Sequence, residues 1–131
     1  MRNKKRLLNF ILISIAMVCQ GCVVAAVGLG AAGTIAYISG DLESVESQNI
    51  EVVYSAALQA AQELELRVIS KSKDALTAQI IARDAEDKKI EIKMSSNSEH
   101  TTKLSIRVGT IGDENKSQRI YQKIYNILNP H

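Results

Sequence analysis

Lys89-Ile90-Glu91-Ile92-Lys93-Met94 alternates charged and apolar residues without a break. A period of two places Ile90, Ile92 and Met94 on one side of an extended chain, and Lys89, Glu91 and Lys93 on the other. The rhythm recurs on both flanks. Downstream, Thr102, Leu104, Ile106 and Val108 alternate with Lys103, Ser105 and Arg107. Upstream, Leu76, Ala78, Ile80 and Ala82 alternate with Thr77, Gln79, Ile81 and Arg83, and Leu66, Val68 and Ser70 with Arg67, Ile69 and Lys71. Short polar stretches separate the runs: Ser72-Lys73-Asp74, Ala85 to Lys88, and Ser95 to His100. Four strands joined so closely predict an antiparallel meander. One apolar and one polar face predict a sheet covered on a single side.

The cover comes from two helices. Ile50, Val53, Ala57, Leu58, Ala61 and Leu64 recur at spacings of three and four, with Glu51, Gln59, Gln62 and Glu63 opposite. That is one apolar stripe on an amphipathic helix, with Asn49 or Ser47 placed to cap it. Gly109-Thr110-Ile111-Gly112 ends the last strand. Asp113 is a good N-cap for a second helix, Glu114 to Leu128, whose stripe is Ile120, Ile124, Ile127 and Leu128. Leu42 to Ser47 reads as a short first strand. The predicted class is α+β, with two layers: a meander sheet in the order β-α-β-β-β-β-α and two helices on one face.

Before Asp41 the chain changes character. Arg2, Lys4, Lys5 and Arg6 precede an apolar run from Leu7 to Val18, and then Cys19-Gln20-Gly21-Cys22. A basic tip, a short apolar core and small residues at a cut are the layout of a secretory signal. Gly21-Cys22 resembles a bacterial lipobox, which implies cleavage before Cys22 and acylation of its sulfur. Cys19 departs from that pattern, where an aliphatic residue is usual. Val23, rather than Asp, follows the cysteine, which favours the outer over the inner membrane. The expected organisation is residues 1–21 as signal peptide, 22–40 as lipidated cysteine and Ala/Gly-rich tether, and 41–131 as the domain. The alternative is a single span, since no charged residue occurs from Leu7 to Gly40 and about 20 apolar residues cross a bilayer.

Charge and cysteine content narrow the function. Four of the sixteen Lys and Arg lie before Cys22, which leaves twelve against fourteen Asp and Glu. The mature domain is slightly acidic and has no nucleic-acid footprint. With Cys19 removed and Cys22 acylated, no thiol remains for a disulfide, a metal or a nucleophile. Without Trp, and with its one Phe in the signal, the core is expected to be aliphatic.

Several strings carry a family resemblance: Gly21-Cys22, the Ala/Gly-rich stretch after it, Ser70-Lys71-Ser72-Lys73-Asp74-Ala75-Leu76, and Ser105 to Glu114, within which Ile106 to Glu114 is the most specific. Together they resemble a family of short bacterial lipoproteins known only as a domain of unknown function. The resemblance implies an envelope location and this α+β domain, and brings no activity or catalytic residues.

Other candidates for chemistry have plainer readings. Gly28-Leu29-Gly30-Ala31-Ala32-Gly33 matches G-x-G-x-x-G, but the dinucleotide motif needs a parallel sheet around it, so no cofactor is expected. His100 and His131 stand apart, and no metal site is expected. The loop Gly109 to Gly112, opening into a helix N-terminus with Arg107 and Asp113 beside it, is a candidate anion or partner loop; a tight strand-to-helix turn is the simpler reading. Tyr54, Tyr121 and Tyr125 are expected to edge the core with their hydroxyls in water. The outer sheet face with Lys89, Lys93, Lys103 and Arg107 reads as a solvated surface that can also meet acidic headgroups or a protein.

The expectation is therefore a non-enzymatic envelope lipoprotein, held in the bilayer through acylated Cys22, whose domain binds another envelope component. A small-ligand or lipid carrier is the alternative, as is a single-span inner-membrane protein if the lipobox is unused. A hydrolase would need a convergent polar cluster that the sequence does not display.

Overall fold

The computed structural model describes residues 3–7 and 34–131. The chain separates into two units, residues 1–31 and 32–131. In the first, residues 3–7 are helical and exposed. Among the described residues, the second contains all the strands and two long helices: β1 (Ile35–Ile38), β2 (Asp41–Glu46), α1 (Ile50–Glu63), β3 (Arg67–Lys73), β4 (Thr77–Arg83), β5 (Lys89–Ser98), β6 (Thr101–Val108) and α2 (Glu114–Leu128). The α+β class and the two helices are as expected.

The six strands form one antiparallel sheet in the order β1-β2-β6-β5-β4-β3. β3 to β6 are the meander that their short loops dictate. β2 lies beside β6, so the chain passes from β2 at one side of the sheet through α1 to β3 at the far edge. The register puts Ile80 opposite Ile92, and Ile92 opposite Ile106. Alternate residues thus build a continuous aliphatic face in which Ile80, Ile92, Leu104 and Ile106 are fully buried. α1 meets this face with Val53, Ala56, Ala57 and Ala60, and α2 with Ile120, Tyr121 and Ile124. The small alanines let α1 lie close. Burying one large aliphatic side chain contributes about 1.5–3 kcal/mol, so this face is the main stabilising element.

Three features differ from expectation. First, residues 35–38, placed by sequence in the tether, form strand β1 on β2. Ile-Ala-Tyr-Ile favours an extended chain. Ser39 (φ 52°) and Gly40 (φ 91°) supply the two positive dihedrals of a tight hairpin. A long apolar run hides this strand because no charged residue alternates with the apolar ones. The folded unit therefore starts before Asp41, and the part of the apolar run from 35 to 38 belongs to the sheet.

Second, β5 continues to Ser98, through what reads as a loop, and pairs Ser96 with Thr102 before an irregularity at Ser96/Ser98. Third, a bulge lies between Val68 and Ser70, so that Ser70 faces Ile81 and Lys71 faces Ile80. The extra residue re-aims the rest of β3, and the strand is exposed along its length. Its turn into β4 is fixed by the Asp74 carboxylate, which accepts from the N–H groups of Leu76 and Thr77, each at 2.8 Å. These bonds hold its pKa below the ordinary aspartate value.

Candidate functional site

The loop singled out by sequence lies at the end of the sheet where β6 passes into α2, and it is held against the β1–β2 turn. Arg107 joins the two. Its Nε donates to Asp41 Oδ1 at 2.6 Å, Nη1 to the Thr110 carbonyl at 3.0 Å, and Nη2 to the Ser39 carbonyl at 2.8 Å. The Asp41 hydrogen bond raises the guanidinium pKa above its already high ordinary value. The Arg107 fork is therefore already occupied, on two carbonyls and one carboxylate.

The glycines explain themselves by position. Gly40 and Gly112 have φ of 91° and 98° and pack backbone against backbone. A Cβ on Gly40 would strike the Ile111 carbonyl, and one on Gly112 would strike the carbonyl of Gly40. Gly109 also has positive φ, 74°, but open space around it, so only its conformation favours glycine. Asp113 caps α2 by accepting from the Lys116 N–H at 3.0 Å. All four candidate loop residues, Arg107, Gly109, Gly112 and Asp113, are thus brought together in one clasp. Beside it lies an open groove of about 860 Å³ whose lining includes Arg83, Lys88, Lys89 and Glu91. Ile111 stands at its rim, 89% exposed.

Next to the clasp, the β4–β5 turn is tied to α2. Lys116 Nζ bridges Asp84 and Glu86 at 2.7 and 2.6 Å. This hydrogen bond to Lys116 lowers the Asp84 pKa, and the same pairing raises that of Lys116.

A second polar group escaped the sequence reading. On the covered face, Ser44 and Glu46 of β2, Thr102 of β6, and Ser117 and Tyr121 of α2 are all buried. Ser44 Oγ donates to Glu46 Oε1 at 2.7 Å, and Thr102 Oγ1 to the Gln48 carbonyl at 2.8 Å. Tyr121 is a core residue, not an edge residue as expected. Its phenol is pushed up by burial first and by the Glu46 carboxylate second. Its hydroxyl stands beside that pair without a well-formed hydrogen bond. Tyr54 and Tyr125 are only half-buried against the core, as expected. A signal for Glu46 was present: it shares the phase of Leu42 and Ser44 in β2, which points it inward.

The other candidates do not converge. His100 lies in the β5–β6 hairpin and His131 ends the chain, both exposed. Among the described residues there is no group of three or more His, Cys, Asp or Glu arranged to hold a metal. Cys19, Cys22, Gly28, Gly30 and Gly33 lie outside the described residues. No described helix is long and apolar enough to cross a membrane.

A two-layer domain with six antiparallel strands, covered on one face by two helices and closed by a glycine–arginine clasp, defines the class of this chain. Over residues 6–126 the chain matches the family described as "Protein of unknown function (DUF3568)", and it belongs to that family. The match takes in the clasp string Ile106 to Glu114. No curated protein matches the sequence.

Proposed function

We propose that the protein is a lipid-anchored component of the bacterial envelope, whose α+β domain works without catalysis as a binding module for another envelope component. The observation that carries this reading is Gly21-Cys22 after a basic tip and an apolar run. Cleavage would leave Cys22 at the new N-terminus, where three acyl chains would make anchoring effectively permanent, since stable attachment needs more than one chain. Val23 after the cysteine favours the outer membrane, with the domain facing the periplasm. Arg107 and Asp113 hold secondary structure together, so the clasp is read as scaffold and the binding surface is sought elsewhere on the domain. An anchor confines the search for a partner to one surface and raises its effective concentration.

The test is metabolic labelling with a radioactive fatty acid, in cells making the wild type or Cys22→Ala, followed by separation of the two membranes. Label on a mature-sized wild-type band, absent from the variant, is the expected result. An unlabelled full-length band in the inner membrane would replace the lipoprotein with a single-span protein. Mild crosslinking of the labelled form should then give a specific adduct, and recovery of monomer alone would count against the binding role.

A further inference from the structure

The uncovered face of the sheet is not evenly charged. Of the twelve cations that follow Cys22, six belong to it by register: Arg67, Arg83, Lys89, Lys93, Lys103 and Arg107. Only four of the fourteen carboxylates do: Asp41, Glu43 and Glu91 on the strands, and Asp87 at the rim. The rest of the domain carries the other ten carboxylates against six cations. An acidic domain therefore has one face with a positive excess.

The charges are also layered. Glu91 and Glu43 lie low on the sheet, with side chains 19% and 29% exposed. Lys93, Lys89 and Lys103 reach out from beside them, at 59%, 52% and 48%. The lysines are thus the more exposed partner in each pair, and the carboxylates hold their ammonium groups over this face. Arg107, spent in the clasp, and the exposed Asp87 are the exceptions. Within a Debye length, roughly 8–10 Å, an anionic surface responds mainly to the nearest exposed charges, and each Lys or Arg near an anionic bilayer adds attraction that salt removes. The chain arriving from Cys22 enters at β1, the strand that puts Ile38, exposed, on this same face opposite Asp41. Twelve uncharged residues separate Cys22 from Ile35, enough to let the sheet lie flat on the surface that holds the anchor.

We propose that the uncovered sheet face docks on an anionic phospholipid surface, through the layer formed by Lys89, Lys93 and Lys103, and so turns the helical layer toward the aqueous compartment. This rests on the lipid anchor proposed above. Docking would orient the domain, so that a partner meets α1 and α2.

The test uses the acylated mature protein, which begins at Cys22, with its acylation checked by mass spectrometry, reconstituted into vesicles of phosphatidylcholine with or without phosphatidylglycerol. A single thiol introduced at Ser105, in the centre of the face, or at Gln122, on α2, carries a fluorophore. With phosphatidylglycerol present, the Ser105 probe should be shielded from an aqueous quencher and regain access in high salt. The Gln122 probe should stay open throughout. Lys93→Gln should shift the docked-to-free ratio about fivefold toward free. Equal quenching at Ser105 in both vesicle types overturns the proposal. Shielding in native membranes but not in phosphatidylglycerol vesicles also overturns it, and assigns the face to a protein. An unprocessed, unacylated chain would instead refute the anchor, and the docking with it.

Discussion

The two faces of the sheet are made from the same strands and obey different physics. The covered face is a field of Ile, Leu, Val and Ala locked under two helices, with one polar corner at Ser44, Glu46 and Thr102. The uncovered face is a set of ion pairs, among them Lys103–Glu43 at 3.1 Å and Lys93–Glu91 at 3.2 Å. Apolar area removed from water sets the stability of the first. Exposed pairs contribute little to folding, because water and salt screen them. The difference teaches that the fold depends on one face, which leaves the other free to carry charge.

The comparison can be broken most sharply on the covered face. Leu104→Ala should cost about 2–5 kcal/mol in urea unfolding, from lost burial and the cavity left behind. A cost below about 1 kcal/mol would mean that the helices do not seat on this face. Next comes the clasp that closes the end of the sheet. Gly112→Ala should cost about 1–3 kcal/mol, because both its φ and the space at Gly40 oppose a Cβ. Gly109→Ala should cost less, since conformation alone is at stake there. Equal losses at the two positions would remove the close approach from the account.

The tie between the β4–β5 turn and α2 gives a pH-dependent version of the same comparison. The folded pKa of Asp84 lies below the ordinary 3.8. Its contribution is therefore present above the unfolded value and lost as pH falls through the folded one. Lys116→Met should be less stable than wild type at neutral pH, and the two should converge in acid, below both values. A gap that persists in acid would assign the loss to packing of the lysine stem. The smallest effect belongs to the open face. Lys103→Ala should change stability by about 0.2–1 kcal/mol or less in the same unfolding measurement. A larger loss would mean that the ion pairs help hold the sheet and are not spare.

The clasp shows how far local reading reaches. Arg107, Gly109, Gly112 and Asp113 stand out in the sequence because a strand pattern stops there and a capping residue follows. Their purpose does not stand out. Asp41, which holds the Arg107 guanidinium, lies 66 residues away, and Gly40 gives no local hint that Gly112 must rest on it. Tyr121 was misplaced for a related reason. Its helical phase lies beside the stripe, and only the position of β2 beneath α2 makes that phase interior.

By itself, the sequence determined most of the elements, and the faces of β4, β5, β6 and α1. Alternation in Lys89–Met94 and Thr102–Val108, and the three–four spacing in Ile50–Leu64, are local consequences of backbone geometry. There each residue's side follows from its own phase, whereas the bulge in β3 resets the phase after Val68. Tertiary structure alone decided that β2 pairs with β6, that Ile35–Ile38 joins the sheet as β1, and that two distant turns close on each other through Gly40, Gly112 and Arg107. Those choices depend on contacts between residues far apart in the chain, whose free energy no window of sequence contains.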